Sequence, residues 1–271
     1  MEQVHNRKKN FFLKNITPIV IAQCIIIILL MVFWEYAVKS KMINRLFLAA
    51  PSQIWEEFTY MMRKNLLMVH VYISLQEFAA GYSLSAICGI VIGVLFVLFP
   101  KIEEFLSVFF AAFMAIPKSA ILPLLIIWFG IGFSSKVVLI FLFCFFNILF
   151  NTVTGAKQTR PEHLKVAAVF KANRRQTVFK ILIPSALPTI FTGLRITAAT
   201  AITSVIFAEM TAAKQGLGYL LTEAQQVLNT PRIFLVIIVV TILSVILVSV
   251  VNLFEYIICH RWKPSASSNR T

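Results

Sequence analysis

Residues 158–195 read QTRPEHLKVAAVFKANRRQTVFKILIPSALPTIFTGLR, and this stretch decides the fold. It is basic and amphipathic, yet it lies between long apolar segments. A chain that only had to span a bilayer would have no use for it. Thr159 to Glu162 fits a capping box, a hydroxyl at a helix start with a carboxylate three residues on, and Pro161 suits the first turn. Leu164, Ala167, Ala168 and Lys171 then recur at helical spacing. The pattern predicts a short helix over about residues 160–172, ended by Asn173. A second segment, residues 174–183, runs to Pro184 and Pro188, which are expected to stop it and begin the next apolar run. Two readings fit these residues: a helix that docks onto a soluble partner, or a plain surface helix between two membrane spans.

Working outward, 59% of the 271 residues are apolar and 13% are charged. Soluble domains carry roughly 45–50% and about 25%. The apolar residues collect in runs near or above about 18 residues, the length that crosses ~30 Å of hydrocarbon. Six spans are expected, at about residues 18–38, 74–99, 105–129, 136–153, 187–212 and 233–258. The fold class is therefore all-α: a polytopic membrane protein with the short basic helix between the fourth and fifth spans. With the N-terminus inside, fifteen Lys and Arg fall on the cytoplasmic side and eight outside. That bias puts both termini of a multi-pass membrane protein in the cytoplasm. Residues 52–68 of the first external loop have the pattern of an amphipathic surface helix, begun by Pro51-Ser52. The first apolar run is too long for a signal-peptide core and is expected to stay as a span. The domain division is residues 1–50 (N-terminus and first span), 51–258 (the remaining transmembrane domain, with a loop at 158–188) and 259–271 (basic tail).

The formal net charge of +14 does not point to nucleic acid. No basic stretch is interleaved with base-stacking aromatics outside the apolar runs. Cys24, Cys88, Cys144 and Cys259 lie in or beside apolar segments with no metal-ligand spacing, and His5, His70, His163 and His260 are scattered. Neither set predicts a metal site. There is no aspartate, no GxxxxGK[ST] loop, no GxSxG and no HExxH. No catalytic residue and no cofactor are expected.

Polar residues inside spans are expensive and point to function. Pro117, Lys118 and Pro123 interrupt the third span, and a broken helix needs protein or a water-filled cavity over its freed carbonyls. Glu209 is the deepest carboxylate; its place near the outer end of the fifth span suggests a local hydrogen-bonding role, as for Glu77. Gly89 and Gly93 form a GxxxG pair that would let another helix approach closely. A stand-alone secondary transporter or channel using Lys118, Glu209 and Arg195 is one outcome these residues allow.

The block at 158–195 also resembles the cytoplasmic coupling loop of ABC importer permeases, the binding-protein-dependent inner-membrane components. Their signature is EAA, three residues, Gly, nine residues and I-x-L-P. That register places Lys165-Val166-Ala167 on EAA, Lys171 on the glycine and Ile181 to Pro184 at the end. IPKSAILPLLIIWFGIG, AEMTAAKQGLGYLL, PSQIW and PSALPTIFTGLR are similar to segments of the subfamily that imports nitrate, taurine, aliphatic sulfonates and thiamine precursors. The chain departs from the signature at two positions, with Lys165 for the glutamate and Lys171 for the glycine. The resemblance implies that Thr159, Pro161, Glu162, Leu164, Lys165, Val166, Ala167, Ala168, Lys171, Ala172 and Pro184 couple to cytoplasmic ATPase subunits. It places Pro117, Lys118, Pro123 and Glu209 along a translocation path. It implies a second permease subunit of the same sequence and an extracytoplasmic solute-binding protein. The cargo would be a small sulfonate or taurine-like anion, or a thiamine-precursor-like compound.

Overall fold

The computed structural model describes residues 20, 22, 23, 25–44 and 46–260. These are helical almost throughout. Following α1 (residues 25–39) come α2 (Pro51–Arg63), α3 (Leu66–Leu98), α4 (Pro100–Ala115), α5 (Lys118–Phe129) and α6 (Phe133–Lys157). Then come α7 (Pro161–Val169), α8 (Arg174–Thr177), a π-helical turn (Val178–Leu182), α9 (Ile183–Ala212), α10 (Leu217–Gln226) and α11 (Thr230–His260). Among the described residues, four helices are long and apolar enough to cross a membrane: Leu66–Leu98, Phe133–Lys157, Arg174–Thr211 and Thr230–Cys259. A fifth span results if α4 and α5, bent by 92° at their junction, count as one. The expected first span begins outside the described residues, as does nearly all of the basic tail.

The chain forms two compact units. One holds the described residues up to Lys64 with Ala224–Leu235; the other holds Asn65–Glu223 with the described residues from Val236 onward. In the first unit, Glu35 accepts hydrogen bonds from the backbone N–H and hydroxyl of Ser52, so a carboxylate caps the start of α2. Arg232 donates to Glu57 at 2.7 Å, which gives one of the Glu56-Glu57 pair a partner.

The second unit is built on α6, which packs along both α3 and α9. The buried face of α3 carries Gly81, Ser85, Gly89 and Gly93, each four residues from the next. A Cβ on Gly81 would lie 2.6 Å from Ile140 Cβ, and one on Gly93 would lie 2.7 Å from Thr152 Cβ. The GxxxG pair is therefore part of a longer small-residue stripe that brings α3 and α6 into close contact. Gly193 of α9 meets Asn151 of α6 in the same way.

Four local expectations are corrected. The surface helix stops at Arg63, because Asn65 takes a left-handed conformation (φ +56°) and turns the chain. The second span consequently begins at Leu66, eight residues before residue 74. In the third span only Pro117 breaks the helix: Ile116 before it is extended, as a residue preceding proline prefers, whereas Pro123 sits inside α5. Pro184 and Pro188 do not stop the basic segment either. The π turn offsets the hydrogen-bond register, with Ile183 N–H reaching Val178 C=O, and helix continues from Arg174 to Thr211.

Candidate functional site

Two places in the second unit carry unusual chemistry. The first is α7. Its first helical residue is Pro161, and Arg160 before it is extended (φ −57°, ψ 135°). Proline enforces that geometry on its predecessor. The helix therefore starts one residue later than a Thr159 cap requires, and the expected capping box is absent. Thr159 is buried, and its hydroxyl has no hydrogen-bond partner among the described residues. Glu162 is exposed in the first turn, where the helix dipole favours a carboxylate.

The far end of α7 also differs from expectation, because the helix ends at Val169 and Asn173 belongs to the next one. Lys171 N–H donates to Ala168 C=O at 3.0 Å and Ala172 N–H to Ala167 C=O at 2.9 Å. These two bonds make a Schellman turn, with Lys171 at the left-handed position (φ +48°). The signature's glycine falls on this residue, and the geometry gives the physical reason: only glycine adopts it without strain. Asn173 caps α8 by accepting from Gln176 N–H at 2.8 Å, while Gln176 Oε1 accepts from Asn173 N–H at 2.9 Å.

Of the α7 side chains, only Ala167 is buried. Leu164 and Val166 are exposed, and Val169 and Phe170 are 79% and 81% exposed. Lys165 and Lys171 are exposed among them, Ala168 is exposed and Ala172 half-buried. Pro184 lies beyond the π turn, in the first turn of α9. Exposed apolar clusters of this kind occur where a protein meets another protein, a ligand or a membrane.

The second place is a buried polar knot. Glu209 of α9 is 1% exposed. One of its oxygens accepts from Ser74 hydroxyl at 2.7 Å and the other from Gly218 N–H at 2.7 Å. Ser74 Oγ accepts from Leu217 N–H at 2.9 Å, and His70 Nδ1 accepts from Gly216 N–H at 2.9 Å. Three side chains from two helices thus satisfy three consecutive backbone donors at the start of α10, where donors lack partners within the helix. Glu77 and Lys136, both buried, form an ion pair between α3 and α6. Gly216 (φ +117°) is packed directly against the Glu209 carboxylate, leaving no room for a side chain.

The expected path residues are placed as follows. Pro117 and Lys118 are at the α4–α5 bend, and Lys118 Nζ donates to Met114 C=O at 3.4 Å. Pro123 is inside α5. Glu209 has its partners in the knot rather than at that bend. The sequence does not single out His70, Ser74 and Lys136 as members of this knot. The available signal is spacing: His70, Ser74, Glu77 and Gly81 fall on one face of an otherwise apolar helix.

Residues 85–264 match the model of a family described as binding-protein-dependent transport system inner membrane component. The chain belongs to this family. It is 29% identical over 251 residues to the taurine transport system permease protein TauC of Escherichia coli (strain K12), with 91% of each chain covered. It is 31% identical over 239 residues to the riboflavin transport system permease protein RibX of Chloroflexus aurantiacus, covering 88% of this chain and 89% of that one. In fold it resembles a chain of the inward-facing MetNI methionine ABC transporter, with a TM-score of 0.61 and 22% identity. That likeness covers 72% of this chain and 96% of the other. The chain is an ABC importer permease, a transport subunit of the inner membrane.

Proposed function

We propose that α7 is the coupling element of this permease and that it seats in a groove on a cytoplasmic ATPase subunit. The observation that carries the reading is the exposure of Val169 and Phe170 on a helix whose C-terminal end is closed by a hydrogen-bonded turn. After that turn, Asn173 begins a helix that runs to Thr211, 38 residues and about 57 Å at 1.5 Å per residue. A displacement of α7 by ATP-driven closure of the ATPases reaches the membrane through continuous helix, and a rigid element transmits what a flexible loop would absorb. Two copies of the chain would enclose the translocation path. Both termini would be cytoplasmic, and a binding protein would deliver cargo at the opposite face.

The double variant Val169→Asp/Phe170→Asp tests the coupling role. In proteoliposomes with the ATPase and binding protein, it should insert normally and lose uptake together with cargo-stimulated ATP hydrolysis. Wild-type uptake by this variant would refute the assignment.

The cargo we propose is a small sulfonate of the taurine type or a heterocyclic vitamin precursor. Its support is the division of similar permeases between a sulfonate and a vitamin. Competition of taurine, riboflavin and nitrate against uptake in cells carrying the whole system would test it; inhibition by nitrate alone would reject it.

A further inference from the structure

A groove of about 540 Å³ opens where α3 ends and α8 begins. Leu95, Leu98, Phe99 and Phe179 form its walls, and Arg174 and Arg175 complete the lining. No carboxylate lines it. Leu95, Phe99 and Phe179 are 44–56% exposed, and both arginines are exposed. Among the described residues, neither guanidinium has a carboxylate partner within ion-pair distance. The arginines do nothing for their own helix, since they lie in its first turn, where the dipole disfavours cations. The turn is already closed by Asn173 and Gln176.

The groove lies at one end of the membrane-spanning helices. Lys157 at the end of α6 pairs with Glu103 at the start of α4 at 2.6 Å. The ends of α3 and α6 are thereby on one level, and the long helix from Arg174 begins there. An occupant of this place must be apolar toward the bilayer and anionic toward water. We propose that the groove binds an anionic phospholipid, with an acyl chain along Leu95, Leu98, Phe99 and Phe179 and the phosphate against Arg174 and Arg175. Basic pockets between helix ends take such headgroups. The bound lipid would fasten the start of the helix that carries α7, making coupling sensitive to membrane composition. The inference rests on the membrane assignment and not on ATPase docking.

Native mass spectrometry of the full chain, released from detergent with phosphatidylglycerol or phosphatidylcholine of matched acyl chains, tests it. Wild type should retain phosphatidylglycerol preferentially. Arg174→Gln/Arg175→Gln should lower that retention by about tenfold or more, as expected for two basic groups at an anionic surface. The same variant should keep its thermal unfolding midpoint and its weak phosphatidylcholine binding. Phe179→Ser should lower retention of both lipids, and the single change Arg174→Gln should fall between wild type and the pair. Equal phosphatidylglycerol retention by wild type and the arginine pair would overturn the proposal. So would displacement of the lipid by equimolar glycerol 3-phosphate, which would make this a site for a free anion. Loss of ATPase co-purification with lipid retention unchanged would also overturn it, by giving the arginines to the protein partner.

Discussion

The α7 tip and the knot around Glu209 invert the usual distribution of side chains. At the tip, Leu164, Val166, Val169 and Phe170 face outward, while an alanine is the buried residue. At the knot, Glu77, Lys136 and Glu209 are buried with Ser74 and His70, and glycines let backbone and carboxylates meet. The difference teaches where each set of residues finds its partners. Apart from one oxygen of Glu77, the polar groups of the knot have theirs within the unit, so their loss should appear as instability. The apolar groups of the tip are exposed among the described residues, so their loss should appear in association and coupling, with stability intact.

The largest effect expected is on the knot. Lys136→Met removes the ammonium paired with buried Glu77 and should cost ~3–5 kcal/mol, read as a lower unfolding midpoint in detergent. Glu77→Leu/Lys136→Met should recover much of that loss, because a buried pair replaced by apolar groups leaves no unpaired charge. A double variant as unstable as the single one would contradict this account. Next comes Gly216→Ala, which forces a side chain against Glu209 at a backbone angle that favours glycine. It should cost about 1–3 kcal/mol, with α10 losing hydrogen-exchange protection before α3. Ser74→Ala should rank third at about 1–2 kcal/mol, since it deprives both Glu209 and Leu217 N–H of a partner.

The smallest effect separates the two regions most sharply. Lys171→Gly relieves a left-handed lysine and should raise stability by roughly 1 kcal/mol without moving α7. If Lys171 serves the ATPase as a charge, the same change should weaken ATPase co-purification while the midpoint rises. A fall in midpoint would show that the lysine side chain stabilises the turn, and the strain argument would be wrong.

The tip is more legible in the sequence than the knot. Pro161, the helical spacing from Leu164 to Ala168 and the signature register are local properties of a short stretch, and α7 forms within them. The departures there are also local: the cap moves from Thr159 to Arg160 because proline constrains the residue before it. The prolines at 184 and 188 escape a sequence reading for a related reason. A π turn changes which donor is missing, and periodicity gives no sign of it.

Sequence alone determined that the chain is a set of apolar helices with a short amphipathic helix between two of them. Length against bilayer thickness and a 3.6-residue period suffice for that. Only the tertiary structure decided what Glu209, Glu77 and Lys136 do. Their partners are 59 and 135 positions away along the chain, or backbone donors beyond a turn. A buried polar group must be satisfied, but the chain that satisfies it depends on which helices pack together. The stripe of Gly81, Gly89 and Gly93 allows α3 and α6 to meet closely enough to bring Glu77 to Lys136. Lys171 is a local case by contrast: its residue type argues against a left-handed turn, and the two hydrogen bonds that close α7 impose one.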